Sequence, residues 1–283
     1  NLIKSYSLVL LTEISRNSNI LKELHTKKTC FVAKQSHMQS KQKGRSIMPR
    51  EYKIKLKRGV IFTAFKNLLK GFKKKPQIVY LGEDEVENQA IFIANHSAAS
   101  GPLTYELFFP KYFIPWGTHE MCGNYKMRWN YLYHIFYRQK LKYSRVKSFI
   151  LATTFGLISK FLYNATGLIG TYKDNRLTST FKRSFQVLDK KLALLIFPED
   201  SSHGYHEKPT AFFKGFLSLS KLYFKKSQID LPIYNVYFSK AKNKLVIDKP
   251  VKINEMLNQG ISEEQLSHAL LNRSHQLFDE HIS

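Results

Sequence analysis

Cysteine is almost missing from this chain: its 283 residues include two, Cys30 and Cys122. Two isolated thiols exclude a disulfide framework and offer no paired spacing for a zinc site, so free thiols in a reducing cytoplasm are expected. Long apolar runs are missing as well. No stretch reaches the roughly 18 uncharged apolar residues that a spanning helix requires. The nearest, Phe149 to Gly170, is interrupted by Lys160 and Asn164. The sequence therefore predicts a chain that lies on a membrane rather than crossing it. There is no internal repeat and no glycine-rich phosphate loop. Acidic residues are scarce, 21 Asp and Glu against 45 Lys and Arg. The net charge of +24 suits an anionic membrane surface, nucleic acid or an acidic carrier protein.

Aromatic side chains, by contrast, are plentiful at 14% of residues, enough to exclude a disordered chain and to supply a folded core. The basic excess is concentrated at the start: residues 1–75 hold 19 basic and three acidic residues. Residues 1–47 read as a flexible leader or as sequence foreign to the natural product, with Met48 opening the folded part. Residues 48–75 then read as a basic amphipathic membrane-association helix. Ile54, Ile61, Phe65, Leu68 and Phe72 share one face, and Lys53, Lys57, Lys66, Lys70 and Lys73 to Lys75 lie mostly elsewhere. The same pattern also fits an ordinary helix packed on its own domain with a solvated lysine face.

From residue 76 to 283 short apolar runs alternate with helical stretches. Strands are expected at Ile78–Leu81, Ala90–Ala94, Tyr112–Pro115, Leu168–Tyr172, Leu192–Phe197, Pro232–Phe238 and Leu245–Ile247. Helices are expected near 101–109, 124–138, 145–163, 177–190, 211–225 and 262–281. The fold class is α/β, with a mostly parallel central sheet flanked by helices and the basic amphipathic helix before it.

Three places carry candidate chemistry. The run Ala90 to Ala94 ends on Asn95-His96, where an open α/β sheet presents its ligands, and imidazole can take a proton from a hydroxyl near neutral pH. A lone histidine there is more often a structural hydrogen-bonder. The strand Leu192 to Phe197 runs into Pro198-Glu199-Asp200-Ser201-Ser202, with Lys214-Gly215 further on; a capped turn before a helix is the plainer alternative. Arg176 follows the strand at Gly170, where a guanidinium can clamp a phosphate, or simply face solvent. The aromatic segment Phe108 to Trp116 suits an acyl tunnel, an interface belt or the sheet core. His203 and His206 lack partners at metal-ligand spacing.

In this order the pieces resemble the glycerolipid acyltransferase family, which includes the 1-acylglycerol-3-phosphate acyltransferases, over roughly residues 76–250. Asn95-His96 matches the start of its Asn-His-x4-Asp block. Gly170 to Arg176 is similar to its second block, and Phe197-Pro198-Glu199 with Lys214-Gly215 to its third. Leu231 to Val236 matches its Pro-containing fourth strand. The resemblance implies transfer of a fatty acyl group from a thioester on coenzyme A or acyl carrier protein to a lysophospholipid. The place implied is the cytoplasmic membrane face, with no metal and no bound cofactor. It implies His96 as the base that deprotonates the acceptor hydroxyl, with Glu199 orienting the acceptor. Asn95, Arg176, Ser201, Lys214 and Gly215 are then substrate-binding residues.

Two departures stand out. Gly101 occupies the place of the Asp that would hold the imidazole, and Asp200 is the candidate replacement because the family has Gly there. Ser201-Ser202 replaces Thr-Arg and removes a cation, with Lys208, Lys214 or Arg176 as substitutes. A non-catalytic lipid binder is the alternative, motivated by Gly101. A nucleic-acid binder rests on charge alone, and no specific nucleic acid is expected as partner.

Overall fold

The structure is a computed structural model that describes residues 53–83, 85–98 and 100–282. The expectations for residues 1–47 and for 48–52 fall outside these residues. Within the described part, the first helix, α1, spans Val60–Phe72. That is shorter than 48–75, and residues 53–59 are not helical.

Seven strands follow the expected order: β1 (Gln77–Tyr80), β2 (Ile91–Ala94), β3 (Phe113–Thr118), β4 (Ile169–Thr171), β5 (Ala193–Ile196), β6 (Pro232–Ser239) and β7 (Lys244–Lys252). They form one sheet in the order β1-β7-β6-β2-β5-β3-β4. Five strands, β6 through β4, run parallel. β7 turns back on β6 as an antiparallel hairpin, and β1 pairs parallel to β7. The central strands β2, β5 and β6 are buried along their whole length, which is why their sequences are near-continuous apolar runs, broken in β6 by the hydrogen-bonded Asn235, rather than alternating ones.

Helices cover both faces: α2 (Ser100–Phe108), α3 (Tyr125–Asn130), α4 (Arg145–Thr166), α5 (Leu177–Asp189), α6 (Gly215–Ser227), α7 (Ile253–Asn258) and α8 (Glu263–His281). Local chemistry sets their ends. Ser144 caps α4 by accepting from the Lys147 amide, and Gly167 closes it in the left-handed region at φ 69°. Ser262 and Gln265 form a capping box that starts α8. α3 does not stop at Asn130 but widens into a ten-residue π-helical stretch, Tyr131–Lys140. π-helical turns are rare and concentrate at functional sites. Neither this stretch nor α7 is distinguishable from ordinary helix or loop by apolar periodicity.

The core lies between sheet and helices. Phe92, Tyr105, Phe113, Tyr234 and Phe238 form its aromatic centre, joined by Phe109. The segment Phe108 to Trp116 is thus mainly sheet core, and Trp116 donates its indole N–H to Ser184 Oγ at 2.9 Å.

Candidate active site

Because β2 and β5 are parallel neighbours, the chain leaves the sheet twice at adjacent points on one edge. β2 delivers Asn95-His96 and β5 delivers Phe197 to Ser202. Asn95 is 3% exposed and its side-chain amide is bonded at both ends. Nδ2 donates to the Phe238 carbonyl at 3.0 Å, and Oδ1 accepts from the Phe238 amide at 2.8 Å and the Tyr105 hydroxyl at 3.1 Å. Asn95 therefore fastens the end of β2 to β6.

The next residues turn sharply. Ser97 and Ala98 take φ values of 42° and 53°, a left-handed pair that brings the Ala98 carbonyl back to His96 Nδ1 at 2.5 Å. A carbonyl only accepts, so the proton sits on Nδ1 and Nε2 keeps its lone pair. Burial is the main force that lowers the His96 pKa to about 4, with the Lys140 charge adding to it and the Ala98 hydrogen bond opposing it. The imidazole is consequently neutral at physiological pH, with a basic nitrogen free.

The same turn explains Gly101. A Cβ there would stand 2.1 Å from the His96 carbonyl oxygen, a backbone atom that cannot swing aside. The backbone as folded has no room for a side chain at 101. Asp200, the expected substitute, does not reach the imidazole: its carboxylate accepts from the Ser202 amide at 3.0 Å. Burial works to raise the Asp200 pKa, but Ser202, Lys173 and His203 hold it below the usual carboxylate value. The groups that position His96 are the Ala98 carbonyl and two rings, Tyr205 stacked at 4.5 Å and Phe197 at 5.0 Å.

Glu199 does reach the histidine turn. It is 6% exposed, and Oε2 accepts from the His96 backbone amide at 3.2 Å. Among the described residues no donor meets hydrogen-bond geometry with the buried Oε1, although the His206 amide lies close enough to act on the carboxylate. Burial pushes the Glu199 pKa up, against the His96 and His206 amides and the charges of His206 and Lys140.

Two residues that the sequence did not single out complete this group. The loop after Asp200 is pinned at its base by Phe213 N–H to Pro198 O at 2.7 Å and Asp200 N–H to Ala211 O at 2.9 Å. That closure carries Tyr205 back over the imidazole. Lys140, at the end of the π-helical stretch, donates to Ser201 Oγ at 2.7 Å and lies 5.4 Å from the Tyr205 ring centroid. Burial first, then Lys173, push the Lys140 pKa down, against Glu199, Asp200 and Glu120. Among the described residues neither Lys140 nor Lys173 has a carboxylate ion pair within 4 Å.

The other expected cations are already paired. Arg176 is exposed and grips Asp174 at 2.7–3.0 Å, with its guanidinium over the Tyr172 ring. Lys214 pairs with Glu264 and Lys208 with Asp279. Gly215 opens α6 with Trp116 beside it. The structure thus brings together His96, Glu199 and Ser201, adds Lys140 and Tyr205, and leaves Arg176 and Lys214 in pairs of their own. No protein-family model matches the chain, and no curated protein is significantly similar to it.

Proposed function

We propose that the chain is an O-acyltransferase of the glycerolipid type, acting on a lysophospholipid such as 1-acylglycerol-3-phosphate. The acyl donor is a thioester on coenzyme A or acyl carrier protein. The observation that carries this reading is the His96 turn: a neutral imidazole with Nδ1 bonded to the Ala98 carbonyl and Nε2 left as base, beside a buried carboxylate oxygen without a partner. In the reaction His96 takes the proton from the acceptor hydroxyl as the oxygen attacks the thioester carbonyl. The C–O bond forms, the C–S bond breaks, and the imidazolium returns the proton to the leaving thiolate.

Glu199, whose Oε2 holds the His96 backbone amide, orients the acceptor beside the imidazole. Lys140, steadied by Ser201, supplies positive charge for the acceptor's anionic group in place of the cation missing at Ser202. A basic amphipathic α1 supports a peripheral location at a cytoplasmic membrane face. The second reading, a catalytically impaired protein that binds anionic lipid, draws on Tyr205 covering one face of the imidazole and on the weak basicity that a pKa near 4 gives it.

The test is an incubation of the full chain with labelled acyl-coenzyme A or acyl carrier protein and a panel of lysophospholipids. Ester and free thiol should appear in equal amounts for at least one pair. No ester from any donor and acceptor, with vesicle binding retained, would move the assignment to the lipid-binding reading.

A further inference from the structure

Helix α4 is inside out. Its buried positions are small, Ser148, Ala152, Gly156, Ser159 and Ala165, recurring at spacings of three, four and six along one face. Its exposed positions are large and apolar: Val146, Phe149, Ile150, Leu157, Ile158 and Phe161, between 46% and 72% exposed. A helix covering a sheet in water shows the opposite arrangement, and an apolar surface of this extent marks a site of interaction.

The surface continues onto α1. Phe62 of α1 meets Phe161 of α4 edge-on at 6.2 Å, and Arg58, just before α1, donates to the Thr166 carbonyl at the end of α4 at 2.9 Å. α1 adds exposed Val60, Ile61, Leu68 and Phe72.

Charge identifies the partner. From Met121 to Lys173 the sequence has nine Lys and Arg and no Asp or Glu, and from Tyr52 to Gly82 again nine and none. We propose that α4 and the adjoining flank of α1 form an in-plane docking surface for an anionic lipid bilayer. The inference rests on the acyltransferase reading only for its purpose, delivery of a lipid acceptor to His96. In the docked state Phe149, Ile150, Leu157 and Phe161 enter the interface while Lys147 and Lys160 reach to lipid phosphates.

Length and composition would also let α4 span a bilayer. Its inner face rules against that. Arg128, 3% exposed, is held there by Ser159 Oγ at 3.0 Å and the Gly156 carbonyl at 3.3 Å, and Trp129 donates to Thr153 Oγ1 at 3.0 Å. Spanning would strip these bonds and leave a guanidinium in hydrocarbon. A second copy of the chain is a poor occupant, because a two-fold contact would set two surfaces with a net excess of Lys and Arg against each other, Glu106 already being paired with Arg58 and Lys66.

The test is flotation of the full chain with phosphatidylcholine vesicles, with and without phosphatidylglycerol, comparing wild type with the double variant Ile150→Glu/Leu157→Glu. Both positions are at least half exposed, so the thermal midpoint should not change. Wild type should float with the anionic vesicles and bind neutral ones more weakly, and the double variant should bind the anionic vesicles at least tenfold more weakly. Equal binding by the variant, no binding by wild type, or a wild-type dimer that the variant turns into a monomer would overturn the proposal. Acyl transfer to a short-chain, water-soluble lysophospholipid, measured on the same samples, should be equal in the two proteins. Its absence from both would defeat the acyltransferase reading and leave the docking result standing.

Discussion

Two turns leave the same sheet edge, one after β2 at His96 and one after β4 at Arg176 with β5 and β3 between them, and they differ in how completely they satisfy themselves. The Arg176 turn is closed: the guanidinium chelates Asp174 and lies on Tyr172, and these bonds hold the Asp174 pKa down to about 2. The His96 turn is open in the chemical sense. Its backbone is fixed by Asn95, Glu199 and Ala98, yet among the described residues Nε2 and Glu199 Oε1 meet no hydrogen-bond partner and the Lys140 ammonium, bonded to Ser201, has no carboxylate within ion-pair distance. Groups that a fold desolvates and leaves unmatched cost stability, and they persist where a ligand completes them. The comparison favours the first turn as the reacting centre and the second as scaffold.

Substitutions can break that contrast. Lys140→Met should raise KM for a phosphate-bearing acceptor about tenfold, the loss of one charge-assisted bond, and leave a neutral alcohol acceptor unchanged. Steady-state kinetics on the two acceptors would check it. Gly101→Asp restores a carboxylate to the position the acyltransferase pattern calls for. Because a Cβ collides with the His96 carbonyl, it should cost about 1–3 kcal/mol in denaturant unfolding and give no gain in turnover.

Glu199→Gln separates stability from activity. A carboxyl whose pKa is raised by folding favours the fold below its unfolded value, and that contribution fades as pH rises through the folded one. The charged form of Glu199 is therefore the burden that burial opposes, so the variant should show a higher thermal midpoint as pH rises and a lower rate. His96 has the opposite sign: its folded pKa is about 4, below the ordinary 6.5. Its contribution to stability is complete above pH 6.5 and is lost as pH falls toward 4, a slope that His96→Gln should flatten in a pH series of melts. The smallest effect belongs to Arg176→Ala, less than about threefold in kcat/KM, as for an exposed residue outside the site. A larger loss would transfer the acceptor's charge to the second turn and cancel the contrast.

Much of the architecture could be read from the sequence. All seven strands lie within a few residues of the apolar runs that mark them, and β2 and β5, buried on both faces, show no alternation. The hairpin β6–β7 was legible as two strands but not in its direction, because pairing sense depends on long-range packing. His96 and Glu199 were found because each ends such a run. Lys140 and Tyr205 were not, since they reach the site through a π-helical stretch and a loop excursion that leave no periodic trace. The one available signal was the cation missing at Ser202, and it pointed to Lys208, Lys214 or Arg176 rather than to Lys140. The inverted face of α4 was also hidden: its composition is that of any apolar helix, and only the fold shows which side turns inward.

The most direct measurement is the rate of ester formation by His96→Ala beside wild type, with circular dichroism and thermal melting on the same preparations. Loss of a general base should lower kcat by about 10²–10⁴-fold, with the secondary structure unchanged. Undiminished turnover in a folded variant would contradict the assignment of His96 as base and with it the proposed reaction.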